Sequence, residues 1–101
     1  MEPHNVMLLE AAAGNFDDIG DMTGDQLAHG DGMRRLCLGL AQFTRATKYS
    51  LSDPFKQMLA ETGAANFDDA GDMTNDQITS GDCLRRIVLG LAQLSRAMKG
   101  L

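Results

Sequence analysis

With 101 residues, 44% of them apolar, the chain is long enough to close a hydrophobic core without metal or disulfide support. Fourteen acids against nine bases leave a formal charge of -5, which argues against general affinity for nucleic acid or anionic membranes unless the bases are segregated. One tyrosine, no tryptophan and seven methionines disfavour sheet and favour an aliphatic, sulfur-rich helical core.

Sliding the sequence by 51 positions pairs Pro3 with Pro54 and Lys48 with Lys99, and 27 of these 46 pairs are identical without a gap. The match is densest over Asn15–Gln26 against Asn66–Gln77, and over Leu38–Gln42 against Leu89–Gln93. The chain is therefore read as a single domain, 1–101, built from two repeats, 3–50 and 54–101.

The first helix of each unit is expected from Pro3 to Ala13, stopping at Gly14, and from Pro54 under an Asp53 cap, stopping at Gly63. A turn-rich acidic loop follows from Asn15 to Met22, anchored by Phe16, or by Phe67 in the second unit. Thr23 with Gln26, and Thr74 with Gln77, have capping-box spacing, which predicts a short helix ending at Gly30 or Gly81. Asp31 and Asp82 then cap a long third helix. Its apolar stripe runs through Met33, Leu36, Cys37, Leu40 and Thr44, and in the second unit through Leu84, Ile87, Val88, Leu91 and Leu94. Gly39 and Gly90 interrupt these helices at a cost of roughly 1 kcal/mol each relative to alanine, which calls for a packing reason. A crossing of the two long helices at Gly39 and Gly90 supplies one. The expected fold is all-α: a compact bundle of two pseudo-twofold-related three-helix repeats, with about six helices, two long and four short.

Eight of the nine bases fall on the long third helices, while the acids concentrate elsewhere. Arg34 and Arg45 frame Leu38, and Arg85 and Arg96 frame Leu89, an arrangement that suits a partner contact; packing of each leucine under its own short helix is the bland alternative. Arg34, Arg35 and their mates Arg85 and Arg86 sit in the first turns, where the helix dipole disfavours positive charge. The carboxylates of Asp17, Asp18 and Asp21, and of Asp68, Asp69 and Asp72, are expected to offset them.

From Asn15 the segment resembles an EF-hand loop in part, with Asn15, Asp17, Gly20 and Met22 fitting its first, third, sixth and eighth positions. Ile19 and Gln26, or Ala70 and Gln77, stand where a ligand and the bidentate glutamate belong, so no metal is expected. His4 and His29 are replaced by Phe55 and Ser80 in the second unit, and no phosphate cradle or nucleophile elbow occurs, so neither catalysis nor a cofactor is expected. Cys37 and Cys83 occupy non-equivalent positions and form no CxxC motif. The start of the chain lacks the charged and apolar regions of an export signal, and no run reaches the roughly 18 to 20 apolar residues of a membrane span.

The expected function is a small, cytoplasmic, non-enzymatic protein-interaction module: a regulator, adaptor or inhibitor acting through duplicated surfaces on a protein partner, one that is symmetric or oligomeric. The module itself would be a monomer or homodimer. The alternative is a nucleic-acid-binding regulator using the basic helix faces, and the third reading a degenerate calcium-binding helix-loop-helix pair.

Overall fold

The computed structural model of the protein describes residues 2–99, and the regular structure among them is entirely helical. Positions 100 and 101 of the second unit lie outside the described residues. The helices are α1 (Pro3–Gly20), α2 (Gly24–Ala28), α3 (Asp31–Tyr49), α4 (Pro54–Gly71), α5 (Asn75–Thr79) and α6 (Asp82–Met98). Four are long and two short, whereas the sequence predicts the reverse.

The difference lies in the first helix of each unit. Gly14 and Gly63 do not stop α1 and α4, which continue through the segments expected to be loops. A glycine inside a helix costs only about 1 kcal/mol, and the extra turns bring Asn15, Phe16 and Ile19, or Asn66, Phe67 and Ala70, onto the inner faces. Gly63 also has a packing role, because a Cβ there would lie 3.1 Å from the Gly90 carbonyl oxygen. Gly14 has none, with nothing within 4 Å.

Both capping boxes form. Thr23 Oγ1 accepts from Gln26 N at 3.2 Å while Gln26 Oε1 accepts from Thr23 N at 2.8 Å, and Thr74 with Gln77 repeats the pair at 3.2 and 2.9 Å. The caps of α3 and α6 are Gly30 and Gly81 rather than Asp31 and Asp82, which instead begin the helices. These glycines have φ of 88° and 96°, a left-handed conformation that turns the chain sharply between the short and long helices.

The four long helices form a row in the order α1, α3, α4, α6, and their residue pairings run in opposite directions, so each is antiparallel to the next. The molecule extends 42 × 26 × 19 Å. Helices α3 and α6 barely meet, so the expected crossing at Gly39 and Gly90 is absent. Each glycine is instead covered within its own unit. A Cβ on Gly39 would lie 2.6 Å from Phe16 Cε1, and one on Gly90 2.8 Å from Phe67 Cε1. The units join through α3 of the first and α4 of the second. These are unlike surfaces, whereas a twofold axis pairs like with like, so the expected pseudo-twofold relation is not the one found at the junction.

The main core lies at this junction. Cys37 and Ala41 from α3, Phe67 and Ala70 from α4, and Cys83 and Ile87 from α6 are buried together, flanked by Met33, Leu40, Met73 and Ile78. Phe67 is wholly buried because α4 is covered on both sides, whereas Phe16 on α1, covered on one, is 36% exposed.

Alanine at these glycines should therefore have three different effects on the urea unfolding midpoint. Gly14→Ala should stabilise by about 0.5 to 1 kcal/mol, since the new methyl meets nothing and the unfolded chain loses freedom. Gly90→Ala should destabilise by about 1 to 3 kcal/mol, because Phe67 has no space to retreat into. Gly39→Ala should fall between them, as the half-open Phe16 ring can swing outward. A stabilising Gly90→Ala would contradict the packing.

Candidate functional site: two matched clefts

The densest sequence matches trace to a polar network that occurs in both units. Asn15 Nδ2 donates to Gln42 Oε1 at 2.7 Å, and Asn66 Nδ2 to Gln93 Oε1 at 2.6 Å. The Asn15 oxygen accepts from Arg35 Nη1 at 3.3 Å, and that nitrogen also donates to Asp18 Oδ2 at 2.6 Å. Arg86 repeats this with Asn66 at 3.4 Å and Asp69 at 2.7 Å. The expected pairing of Arg35 and Arg86 with carboxylates of the preceding segment is thus found at Asp18 and Asp69. The pairs are not bidentate, and the acids sit on the last turns of α1 and α4 rather than in a loop. Asn15, Gln42, Asn66 and Gln93 were not foreseen as a network; their identity in both halves was the available signal.

A second set of bonds joins the units. Arg45 Nη2 meets Asp68 Oδ2 at 2.6 Å, and Lys48 Nζ meets Glu61 Oε2 at 2.6 Å. The Asp68 hydrogen bond and charge raise the Arg45 pKa further, outweighing the opposing effect of partial burial. Arg34 Nη2 donates to Asn75 Oδ1 at 2.7 Å and to the Met73 carbonyl at 3.4 Å. Sequence reasoning assigned Arg34 and Arg45 to partner contact, yet both are engaged across the unit junction. Asp21 and Asp72 cap α1 and α4, and Asp17 is exposed on α1.

Leu38 and Leu89 are each 49% exposed and do not pack under α2 or α5. Each lines a cleft between the start of a short helix and the first turns of a long one. The first cleft, about 330 Å³, is lined by Met22, Gln26, Asp31, Arg34, Arg35 and Leu38. The second, about 390 Å³, is lined by Met73, Gln77, Asp82, Arg85, Arg86 and Leu89. These residues are the first set displaced by 51 positions, with every residue type unchanged. Apart from this difference in volume, the clefts differ at one arginine. Arg34 is held by Asn75, whereas the Arg85 side chain is 84% exposed, with only Asp82 at 3.6 Å. Arg45 and Arg96, expected to frame the leucines, lie farther along α3 and α6 and line neither cleft.

Residues 15–20, which open the segment that resembles an EF-hand loop, are helical and cannot wrap around a cation. Among the described residues no three His, Cys, Asp or Glu side chains gather as metal ligands. No helix of the described residues is long and apolar enough to cross a membrane. Cys37 and Cys83, from different units, are free, buried thiols in one core cluster. Burial, with the Cys83 thiol beside it, pushes the Cys37 thiol up to about 12.

Two outcomes follow for solution measurements. Asn66→Ala, which strands Gln93 and Arg86, should cost about 1 to 3 kcal/mol, while Asp17→Ala on the open face should leave the unfolding midpoint within about 0.5 kcal/mol. Equal effects would rule out the network as a support of the fold. For Cys37, the unfolded thiol loses its proton from its ordinary value of 9.0, whereas the folded one keeps it to about 12. The stability linked to this group is whole below pH 9.0 and declines as pH rises towards 12. Urea midpoints should fall more steeply across that window in the wild type than in Cys37→Ala, and parallel curves would show that Cys37 makes no such contribution.

No protein-family model matches the chain, and no curated protein or solved structure is significantly similar to it.

Proposed function

We propose that the protein is a small, non-enzymatic protein-interaction module, a regulator, adaptor or inhibitor that uses two copies of one binding cleft. The observation that carries this reading is the pair of clefts whose six lining residues match type for type across the two units. Each combines an apolar wall of methionine and half-exposed leucine with two guanidinium groups, a glutamine and one aspartate, which lies 3.9 Å from Arg34 in the first cleft and 3.6 Å from Arg85 in the second. Such a cleft suits a peptide that places a carboxylate beside a large apolar side chain, because arginine recognises carboxylates directionally while leucine and methionine supply apolar contact. Two clefts on one chain suit a symmetric or repetitive partner, which binds more tightly than either contact alone.

This reading takes the chain as a single domain of two repeats with one internal arrangement, supported by the recurring Asn–Gln and Arg–Asp bonds and capping boxes. It also takes the setting as cytoplasmic and reducing, in keeping with two free thiols in the core. The alternative, nucleic-acid binding through the basic helix faces, is weakened by the engagement of Arg35, Arg45, Lys48 and Arg86 with carboxylates. A gel shift that weakens steeply as salt rises would favour it instead.

Selection of a random peptide library on the folded protein tests the proposal. Enriched peptides should carry Asp or Glu next to Leu, Met or Phe, and calorimetry should find two sites per chain, reduced to one by either Leu38→Asp or Leu89→Asp. Selection without enrichment, or binding indifferent to both substitutions, would remove the clefts from the function.

A further inference from the structure

Helix α6 carries a face that has the residues of a junction but no neighbour among the described residues. On α3 the positions that meet α4 are covered: Cys37, Ala41 and Thr44 are buried, and Arg34, Arg45 and Lys48 are partly so. Their mates on α6 are open apart from the partly buried Ala92, with Val88 53% exposed where Cys37 is 1% exposed, and Arg85, Ser95, Arg96 and Lys99 exposed. The glycine caps repeat the contrast. A Cβ on Gly30 would lie 3.1 Å from Ile78 of α5, whereas one on Gly81 would meet nothing within 4 Å.

The opposite end of the row carries the complement. Helix α4 meets α3 with Glu61, Phe67, Asp68 and Gly71, and α1 has the same four residue types at Glu10, Phe16, Asp17 and Gly20, all of them exposed. Phe67 packs with Cys37 and Ala41 in the junction core, and a Cβ on Gly71 would sit 3.4 Å from the Cys37 Cβ.

We propose that these two faces bind each other, so that α6 of one copy docks on α1 of a second copy of this chain and reproduces between chains the junction that α3 makes with α4. The proposal rests on the reading of the protein as an interaction module and names a second copy as one of its partners. Charge complementarity supports that occupant. The Arg45–Asp68 and Lys48–Glu61 pairs become Arg96 with Asp17 and Lys99 with Glu10, every residue type being retained. Leu84, Val88 and Leu91, exposed on α6, supply apolar cover for the open edge of Phe16. One bond is not reproduced: Asn75, the acceptor for Arg34, corresponds to Gly24, so Arg85 gains no amide partner. The contact between chains is accordingly weaker than the internal one and reversible. Because it joins unlike faces, it extends the row or closes it into a ring.

Sedimentation of the full chain over rising concentration, at low and high salt, tests this. The wild type should show concentration-dependent mass above the monomer, reduced by salt. Arg96→Glu and Asp17→Arg should each raise the dissociation constant about tenfold or more, and the double variant Asp17→Arg/Arg96→Glu should recover much of the loss. Circular dichroism melts confirm that all variants fold, and Val88→Asp provides a second disruption at the centre of the face. A wild type that stays monomeric overturns the proposal, as does association indifferent to all these substitutions. If that monomeric chain still takes peptides at its clefts, only this proposal fails. If copies associate and the charge swap rescues them while no peptide binds, the proposal stands and the cleft reading fails.

Discussion

The structure depends on phenylalanine rings laid directly on helical glycines. Phe16 covers Gly39 and Phe67 covers Gly90, at distances that leave no space for a Cβ. Each contact draws the first and third helices of a unit close enough for Asn15 to reach Gln42, or Asn66 to reach Gln93. Those amides in turn accept from Arg35 and Arg86, which tie down Asp18 and Asp69. The ring-on-glycine contact sets the separation, and the polar network sets the register. Neither works alone, since the amides would otherwise be left partly unpaired inside the fold.

Identical residues have different environments here because of their place in the row. Phe67 is sealed between α3 and α6 while Phe16 has one side open; Arg45 is paired across the junction while Arg96 faces solvent. The bond from Arg34 to Asn75 holds one guanidinium at the edge of the first cleft, whereas its counterpart Arg85 in the second has an 84% exposed side chain. Two clefts of the same composition therefore offer a ligand one held and one exposed guanidinium, without any change in their own lining residues. The neighbouring element makes the distinction.

Much of the helical content was legible in the sequence because strong local signals and tertiary packing agreed. The Thr–Gln capping boxes and the apolar stripe of α3 are of this kind, whereas the stripe expected on α6 is buried only at Ile87 and Leu94, with Leu84, Val88 and Leu91 exposed. The length of α1 and α4 was not legible. Their buried faces are built from Ala, Gly and Asn, as at Ala60, Gly63, Ala64 and Asn66, so the apolar periodicity is faint and each glycine reads as a stop. The glycine at the middle of each third helix was rightly read as a sign of close packing, but one sequence cannot say which element approaches; the answer was the nearby phenylalanine of the same unit. For the site, the pairing of Arg35 and Arg86 with carboxylates of the preceding helix was legible from charge placement, whereas the exposure of Leu38 and Leu89 was not, since their spacing fits packing under the short helices as well. The engagement of Arg34 and Arg45 was not, because it depends on how the units meet.

One-sided cover at the ends of the row carries a consequence for motion. Helices α3 and α4 lose contacts on two flanks if they leave the fold, whereas α1 and α6 lose them on one. In a stacked array whose layers touch only their neighbours, partial unravelling begins where a layer has a single neighbour and costs less than global melting. The outer helices are accordingly the first to fray, and the seam between α3 and α4 around Cys37 and Phe67 is the last to open.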